Sequence, residues 1–144
     1  MILGVGTDII EISRIKKAIE NESFLKKVYT DCERIEAEHK GINSVATYAG
    51  KFCAKEAISK ALGTGIRDFK LQDIEILSDK LGKPNVYFKG ELANKMKDNK
   101  IVITDDILEQ LDKTMMATSI LRTLKDEIKS VSYTHLRAHE TRSN

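Results

Sequence analysis

The chain has 144 residues, 41% of them hydrophobic, with 24 basic and 22 acidic side chains and a formal net charge of +2. This is enough for one ordinary domain that buries roughly two thirds of its unfolded surface, and too evenly charged for net charge to draw it to nucleic acid or an anionic membrane. Cys32 and Cys53 have no Cys-x-x-Cys spacing and suit free thiols in a reducing compartment, so no zinc or disulfide framework organises the fold.

In chain order, residues 1–12 are an almost continuous apolar run holding Gly4, Gly6 and Asp8, which predicts a buried strand ending near Asp8. The run has no basic leader and Asp8 interrupts it too early for a signal peptide or membrane span, so the protein is read as cytoplasmic. Asp8 has two open readings, a helix N-cap or a functional carboxylate at the strand end. Ile12, Ile15 and Ile19 then space an amphipathic helix, and Phe24, Leu25 and Val28 a second one. Arg14, Lys17, Lys26 and Lys27 lie on their outer faces as a basic surface, for which a solvated helix face is the plain reading.

Thr30-Asp-Cys-Glu33 has the form of a capping box opening a helix to about His39. Gly41 to Ser44 supply a break and an N-cap for a central helix running to about Leu62, with Val45, Tyr48, Ala49, Phe52, Ala57 and Ala61 as its apolar stripe. Glu56 sits beside that stripe, half-buried and in need of a partner. Lys60, one turn on, makes either a plain ion pair with it or a joint site with it. Gly63 has the position of a left-handed helix stop.

Leu71–Leu77 and Val86–Phe88 read as a hairpin around the turn Asp79–Pro84, followed by a helix over 91–97 and a strand over 101–104. Leu108, Leu111, Met115, Thr118 and Leu121 fit helical spacing, while 114–121 fit a strand equally well. The last residues, from Val131, resemble an in-frame translation of a sequencing adapter. The domain is therefore assigned to 1–129, and 130–144 to a non-native tail. Setting aside His135 and His139 leaves His39 alone, which excludes a histidine dyad.

A strand-end carboxylate, a half-buried helix carboxylate, a lysine one turn later and a glycine turn together suit magnesium, which takes oxygen ligands and keeps part of its water shell. A P-loop is excluded, because Gly63-Thr64-Gly65 follows a helix and lacks the Gly-x-x-x-x-Gly-Lys-Ser/Thr form. Three segments also share a family pattern: Gly6-Thr-Asp-Ile-Ile-Glu-Ile-Ser-Arg14, Lys51-Phe-Cys-Ala-Lys-Glu-Ala-Ile-Ser-Lys-Ala-Leu-Gly-Thr-Gly65 and Leu81-Gly-Lys-Pro84. In order and spacing they resemble the holo-[acyl-carrier-protein] synthase family of small 4'-phosphopantetheinyl transferases. The resemblance covers about the first hundred residues. At the place of the family's Val-Ser-x-Ser/Thr-His strand this chain has Ile101-Val-Ile-Thr-Asp-Asp106.

The resemblance implies an α+β fold, a single small domain with a central helix packed on an antiparallel sheet, assembled as a homotrimer with sites between subunits. It implies transfer of phosphopantetheine from coenzyme A to a serine of apo acyl carrier protein. Asp8 and Glu56 would hold Mg2+, Glu56 would take the serine proton, and Lys60 would stabilise the leaving phosphate. Gly63, Thr64, Gly65, Lys83 and Pro84 would shape the nucleotide site. Arg14, Lys17, Lys26 and Lys27 would meet the acidic carrier protein. The rival expectation is a non-catalytic module that binds coenzyme A or carrier protein and carries a divergent C-terminal part.

Overall fold

The computed structural model describes residues 1–63 and 67–123. Thr64, Gly65, His135, His139 and the tail assigned to 130–144 lie outside the described residues. The elements run β1 (Ile2–Glu11), α1 (Ile12–Ala18), α2 (Glu22–Val28), α3 (Asp31–His39), α4 (Ser44–Ala61), β2 (Ile74–Ser78), β3 (Pro84–Phe88), α5 (Gly90–Asp98), β4 (Ile101–Leu111) and β5 (Thr114–Thr123). This is the expected α+β architecture. One antiparallel sheet has the order β1-β5-β4, a second pairs β2 with β3, and α4 packs between them.

The central helix is buried on nearly every side, because Ala49, Cys53, Ala57 and Ala61 face one layer while Ala54 and Ile58 face another. Small side chains let both layers approach closely. The tightest approach is β1 on α4. A Cβ built on Gly6 would lie 1.9 Å from the carbonyl oxygen of Ala57, and one on Gly4 would lie 2.1 Å from that of Ala61. Strand and helix therefore touch backbone to backbone, at a separation only glycine permits.

Around the helices, the box at Thr30 and Glu33 forms as read, with Thr30 N–H donating to Glu33 at 2.8 Å and Glu33 N–H to the Thr30 hydroxyl at 3.3 Å. Tyr29, fully buried, stacks edge-on against Tyr48 at 4.8 Å and donates its hydroxyl to the Tyr48 carbonyl.

Several expectations are corrected. First, β1 is an edge strand, not a buried one, with Val5 and Ile9 exposed, and it continues through Asp8 to Glu11. Asp8 is thus neither at the strand end nor a helix N-cap. Secondly, Ser44 opens α4 as its first helical residue, and Asn43 at the cap position makes no side-chain cap bond. Thirdly, Leu71–Asp73 coil into a 3-10 turn before β2, in which Gln72 donates its amide to the Lys26 and Tyr29 carbonyls. The choice left open between helix and strand over 108–121 falls to strand. Strand β4 runs to Leu111, turns through Asp112 at φ +41 and returns as β5, whose Met115, Ala117, Ser119 and Leu121 are buried in strict alternation.

The contact at Gly6 gives the first prediction. Gly6→Ala forces a methyl group into rigid backbone and costs about 3 kcal/mol, the upper end of overpacking. Urea unfolding reads it as a lowered midpoint, and an unchanged midpoint contradicts the described contact.

Candidate functional site

Side chains alternate along a strand, so Gly4, Gly6 and Asp8 share the face of β1 that meets α4. The two glycines bring the strand down onto the helix, and Asp8 is the first residue on that face with a side chain to project. Three helix residues surround it. Lys60 Nζ donates to Asp8 Oδ1 at 2.7 Å and to the Thr7 carbonyl at 3.1 Å. Cys53 Sγ lies 3.5 Å from Asp8 Oδ2 and donates to the Met115 carbonyl at 3.2 Å. Glu56, half-buried, is coupled electrostatically to both Asp8 and Lys60.

The alternative of a plain Glu56–Lys60 ion pair is not what forms. Lys60 pairs across to Asp8, and among the described residues no ion pair engages Glu56. With the Lys60 side chain 53% exposed, the Asp8–Lys60 bridge contributes little to stability, so its significance is local charge rather than fold.

The local charges differ in direction. Burial, reinforced by the neighbouring Asp8 carboxylate and offset in part by Lys60, raises the Glu56 carboxyl above the ordinary carboxylate range. The hydrogen bond to Asp8 raises the Lys60 ammonium, which therefore stays cationic at neutral pH. Burial and then Asp8 push the Cys53 thiol up to about 12, so it stays protonated.

This donor set fits magnesium. Asp8 and Glu56 supply hard carboxylate oxygens whose mutual repulsion a cation relieves, and the adjacent sulfur is a neutral thiol rather than a soft thiolate ligand. Among the described residues no group of three or more His, Cys, Asp or Glu gathers to hold a metal, here or elsewhere, so the site offers two carboxylates and not a full protein shell. Two carboxylates with water and substrate oxygens completing the shell is the usual magnesium arrangement.

Of the other expected site residues, Gly63 stands one turn beyond Lys60 at φ +74, the left-handed stop read from the sequence. Lys83 is exposed in the β2–β3 turn, which Asp79 closes by accepting from the Leu81 and Lys83 amides at 2.8 and 2.9 Å. Pro84 opens β3 and lines a separate cleft of about 280 Å³ with Asn43, Thr47, Lys51 and Met115. No described contact joins Lys83 or Pro84 to Asp8, Glu56 or Lys60. Arg14, Lys17, Lys26 and Lys27 are all exposed, Lys26 pairing with Glu22 at 3.5 Å.

Sequence reasoning missed Cys53 as a neighbour of Asp8, and Gly4 and Gly6 as the reason Asp8 reaches α4. The legible signal was the glycine–aspartate spacing of two, which places Gly4, Gly6 and Asp8 on one strand face. Lys51 and Lys55 were missed as buried residues, and Glu33 was read as a cap only.

Comparison with known proteins identifies the family and the fold. Residues 4–105 match the family model for the 4'-phosphopantetheinyl transferase superfamily. The chain is 53% identical over 100 residues to holo-[acyl-carrier-protein] synthase of Fusobacterium nucleatum subsp. nucleatum, over 69% of this chain and 81% of that protein. It is 52% identical over 108 residues to the Clostridium tetani enzyme of the same name, over 71% of this chain and 81% of that one. In three dimensions it matches the holo-[acyl-carrier-protein] synthase of Neisseria meningitidis with TM-score 0.78 at 31% identity, covering 85% of this chain and 100% of that chain. The Bacillus anthracis synthase, solved in complex with CoA (3',5'-ADP), matches with TM-score 0.71 at 33% identity over 85% of this chain and 98% of that one. The Asp8 strand, the Glu56–Lys60 helix and the sheet that joins them are those of a chain that belongs to the 4'-phosphopantetheinyl transferase superfamily.

Proposed function

We propose that the chain is a holo-[acyl-carrier-protein] synthase, transferring 4'-phosphopantetheine from coenzyme A to a serine hydroxyl of apo acyl carrier protein and releasing adenosine 3',5'-bisphosphate. The observation that carries this reading is the convergence of Asp8 on β1 with Glu56 and Lys60 on α4. Asp8 and Glu56 are the residues that would hold Mg2+. When bound there, the ion supplies charge neutralisation to the diphosphate of coenzyme A as the phosphoanhydride opens.

The roles of the chain's own residues follow from their surroundings. Glu56, its carboxyl raised by burial, takes the serine proton as general base, directly or through a water. Lys60, held cationic, offsets the charge on the leaving phosphate. Gly63 borders the nucleotide beside Lys60; Thr64 and Gly65, expected at the same site, lie outside the described residues. Lys83 and Pro84 contribute to the nucleotide site from a neighbouring subunit of a homotrimer.

The outer face of the β1-β5-β4 sheet supports such an assembly. Val5, Ile9, Ile107 and Leu111 all project there, each between 41% and 59% exposed. A row of this kind is far more apolar than a solvated sheet face requires.

The basic surface of Arg14, Lys17, Lys26 and Lys27 complements an acidic partner, as carrier proteins are. No described helix is long and apolar enough to cross a membrane, and the proposed setting is the cytoplasm, in fatty acid synthesis. The non-catalytic alternative rests on the divergence beyond residue 101. Strands β4 and β5 nevertheless complete the sheet against α4.

Two predictions follow from these roles. Incubated with coenzyme A, apo carrier protein and Mg2+, the chain adds a phosphopantetheine mass to the carrier protein. EDTA abolishes the gain, excess Mg2+ restores it, and Glu56→Ala slows it by about 10²- to 10⁴-fold, the range for a lost general base. A folded chain that produces no mass gain contradicts the reading. Separately, Ile9→Asp places a charge in the apolar face, and sedimentation then shows single chains where the unaltered protein sediments as three; an unaltered protein that sediments as one chain contradicts the assembly.

A further inference from the structure

The face of α4 turned away from Asp8 carries two lysines, and the transfer chemistry uses neither Lys55 nor its partner. Lys55 is fully buried. Its ammonium stands 2.7 Å from Glu33 Oε2, 2.6 Å from the Val28 carbonyl and 3.1 Å from the Leu71 carbonyl, so each of its three protons has an acceptor. Glu33 is equally buried. Its Oε2 also accepts from Thr30 N–H at 2.8 Å, and its Oε1 accepts from Ile76 N–H at 2.8 Å. One carboxylate thereby joins α3, α4 and β2 through directional bonds. Lys51, one turn earlier, repeats the pattern by donating to the Ile76 carbonyl and pairing with Glu36 at 3.3 Å.

Helix geometry relates this face to the site. At about 100° per residue, Lys55 lies roughly 160° around α4 from both Cys53, which touches Asp8, and Ala57, which touches Gly6, roughly 140° from Lys60 and roughly 100° from Glu56. The clamp thus faces away from β1 while Glu56 follows it directly in the chain. A buried ion pair adds little stability relative to a well-packed apolar pair, so stability does not account for charges at this place. Its directional bonds do account for a fixed helix rotation. Against Gly4 and Gly6 the helix presents only smooth Ala57 and Ala61, which resist rotation weakly.

We propose that the Lys55–Glu33 ion pair is a positioning pair, fixing the rotation of α4 so that Glu56 and Lys60 stand against Asp8. This rests on the functional reading above, and its test carries a metal-binding readout that separates the two.

The experiment compares full-length unaltered protein with Lys55→Met, Glu33→Gln and, as a remote destabilised control, Leu92→Ala in α5. Each is measured for Mn2+ affinity by electron paramagnetic resonance, for kcat and KM in the transfer reaction, and for thermal unfolding. Folded Lys55→Met is expected to lose about 10- to 100-fold in Mn2+ affinity and in kcat, the range for lost support around metal ligands, with KM for coenzyme A little changed. Glu33→Gln, which keeps size and one carbonyl acceptor, is expected to lose less of both. Leu92→Ala is expected to lower the unfolding temperature while keeping both values.

The proposal is overturned if Lys55→Met matches the unaltered protein in Mn2+ affinity and kcat, or if Leu92→Ala loses as much as Lys55→Met. If Lys55→Met does not fold, Glu33→Gln decides, and unchanged values there overturn it too. Unaltered protein that neither binds Mn2+ nor transfers phosphopantetheine contradicts the functional reading and removes this inference with it. Protein that does both while the variants remain unaffected contradicts the inference alone.

Discussion

The backbone contact between β1 and α4 is the constraint on which the site depends. Glycine at positions 4 and 6 lets the strand settle onto the carbonyls of Ala57 and Ala61 at a distance no side chain tolerates. Two residues further along the same strand face, Asp8 meets Lys60 and Cys53. A strand held off by even one methyl group would leave Asp8 short of the helix. The carboxylate and the lysine come from residues 52 apart in sequence. Their meeting is therefore a product of this packing, with nothing local to enforce it.

The two sides of α4 are held by different physics. Toward β1 the contact at Gly4 and Gly6 is close and smooth, and dispersion there rewards proximity without specifying rotation, the polar contacts on this side being those of Lys60 and Cys53 with Asp8 and Thr7. Toward α3 and β2 the contact is ionic and directional, with Lys55 and Lys51 each bridging to a glutamate of α3 and Glu33 bonding to the backbone of β2. The combination places Glu56 where burial and Asp8 raise its carboxyl, while Lys60 reaches partly into solvent. The site is thus half-enclosed, which suits the proposed transfer between a nucleotide and a protein.

Much of the fold was legible because local rules and tertiary packing agree there. The Thr30–Glu33 box, the central helix, the hairpin around Asp79 and Gly63 as a stop are each written in a few adjacent residues. The failures share a cause in long-range packing. Strand β5 looked ambiguous because its buried face includes Ala117 and Ser119, small residues that blur the alternation a strand needs for detection. Asp8 allowed a cap reading because nothing in residues 1–12 reveals that β5 pairs along their whole length, with Ala117 opposite Asp8. Lys51 and Lys55 were invisible as buried residues because charge ordinarily marks the surface. The hint was that α4 is apolar on both sides of them. In the site, the pairing of Glu56 with Lys60 on one helix face was readable, whereas the choice of Lys60 for Asp8 over Glu56 was not.

The proposed function requires one metal site assembled from two distant segments, residues around Asp8 and residues around Glu56. Paramagnetic broadening by Mn2+ in the amide NMR spectrum of the full chain tests it most directly. At substoichiometric Mn2+ the first signals lost are expected to belong to both segments together, residues 6–10 and 53–60, and Mg2+ is expected to restore them. Loss from one segment alone, or first from the Asp68, Glu91 and Asp98 surface, would contradict it.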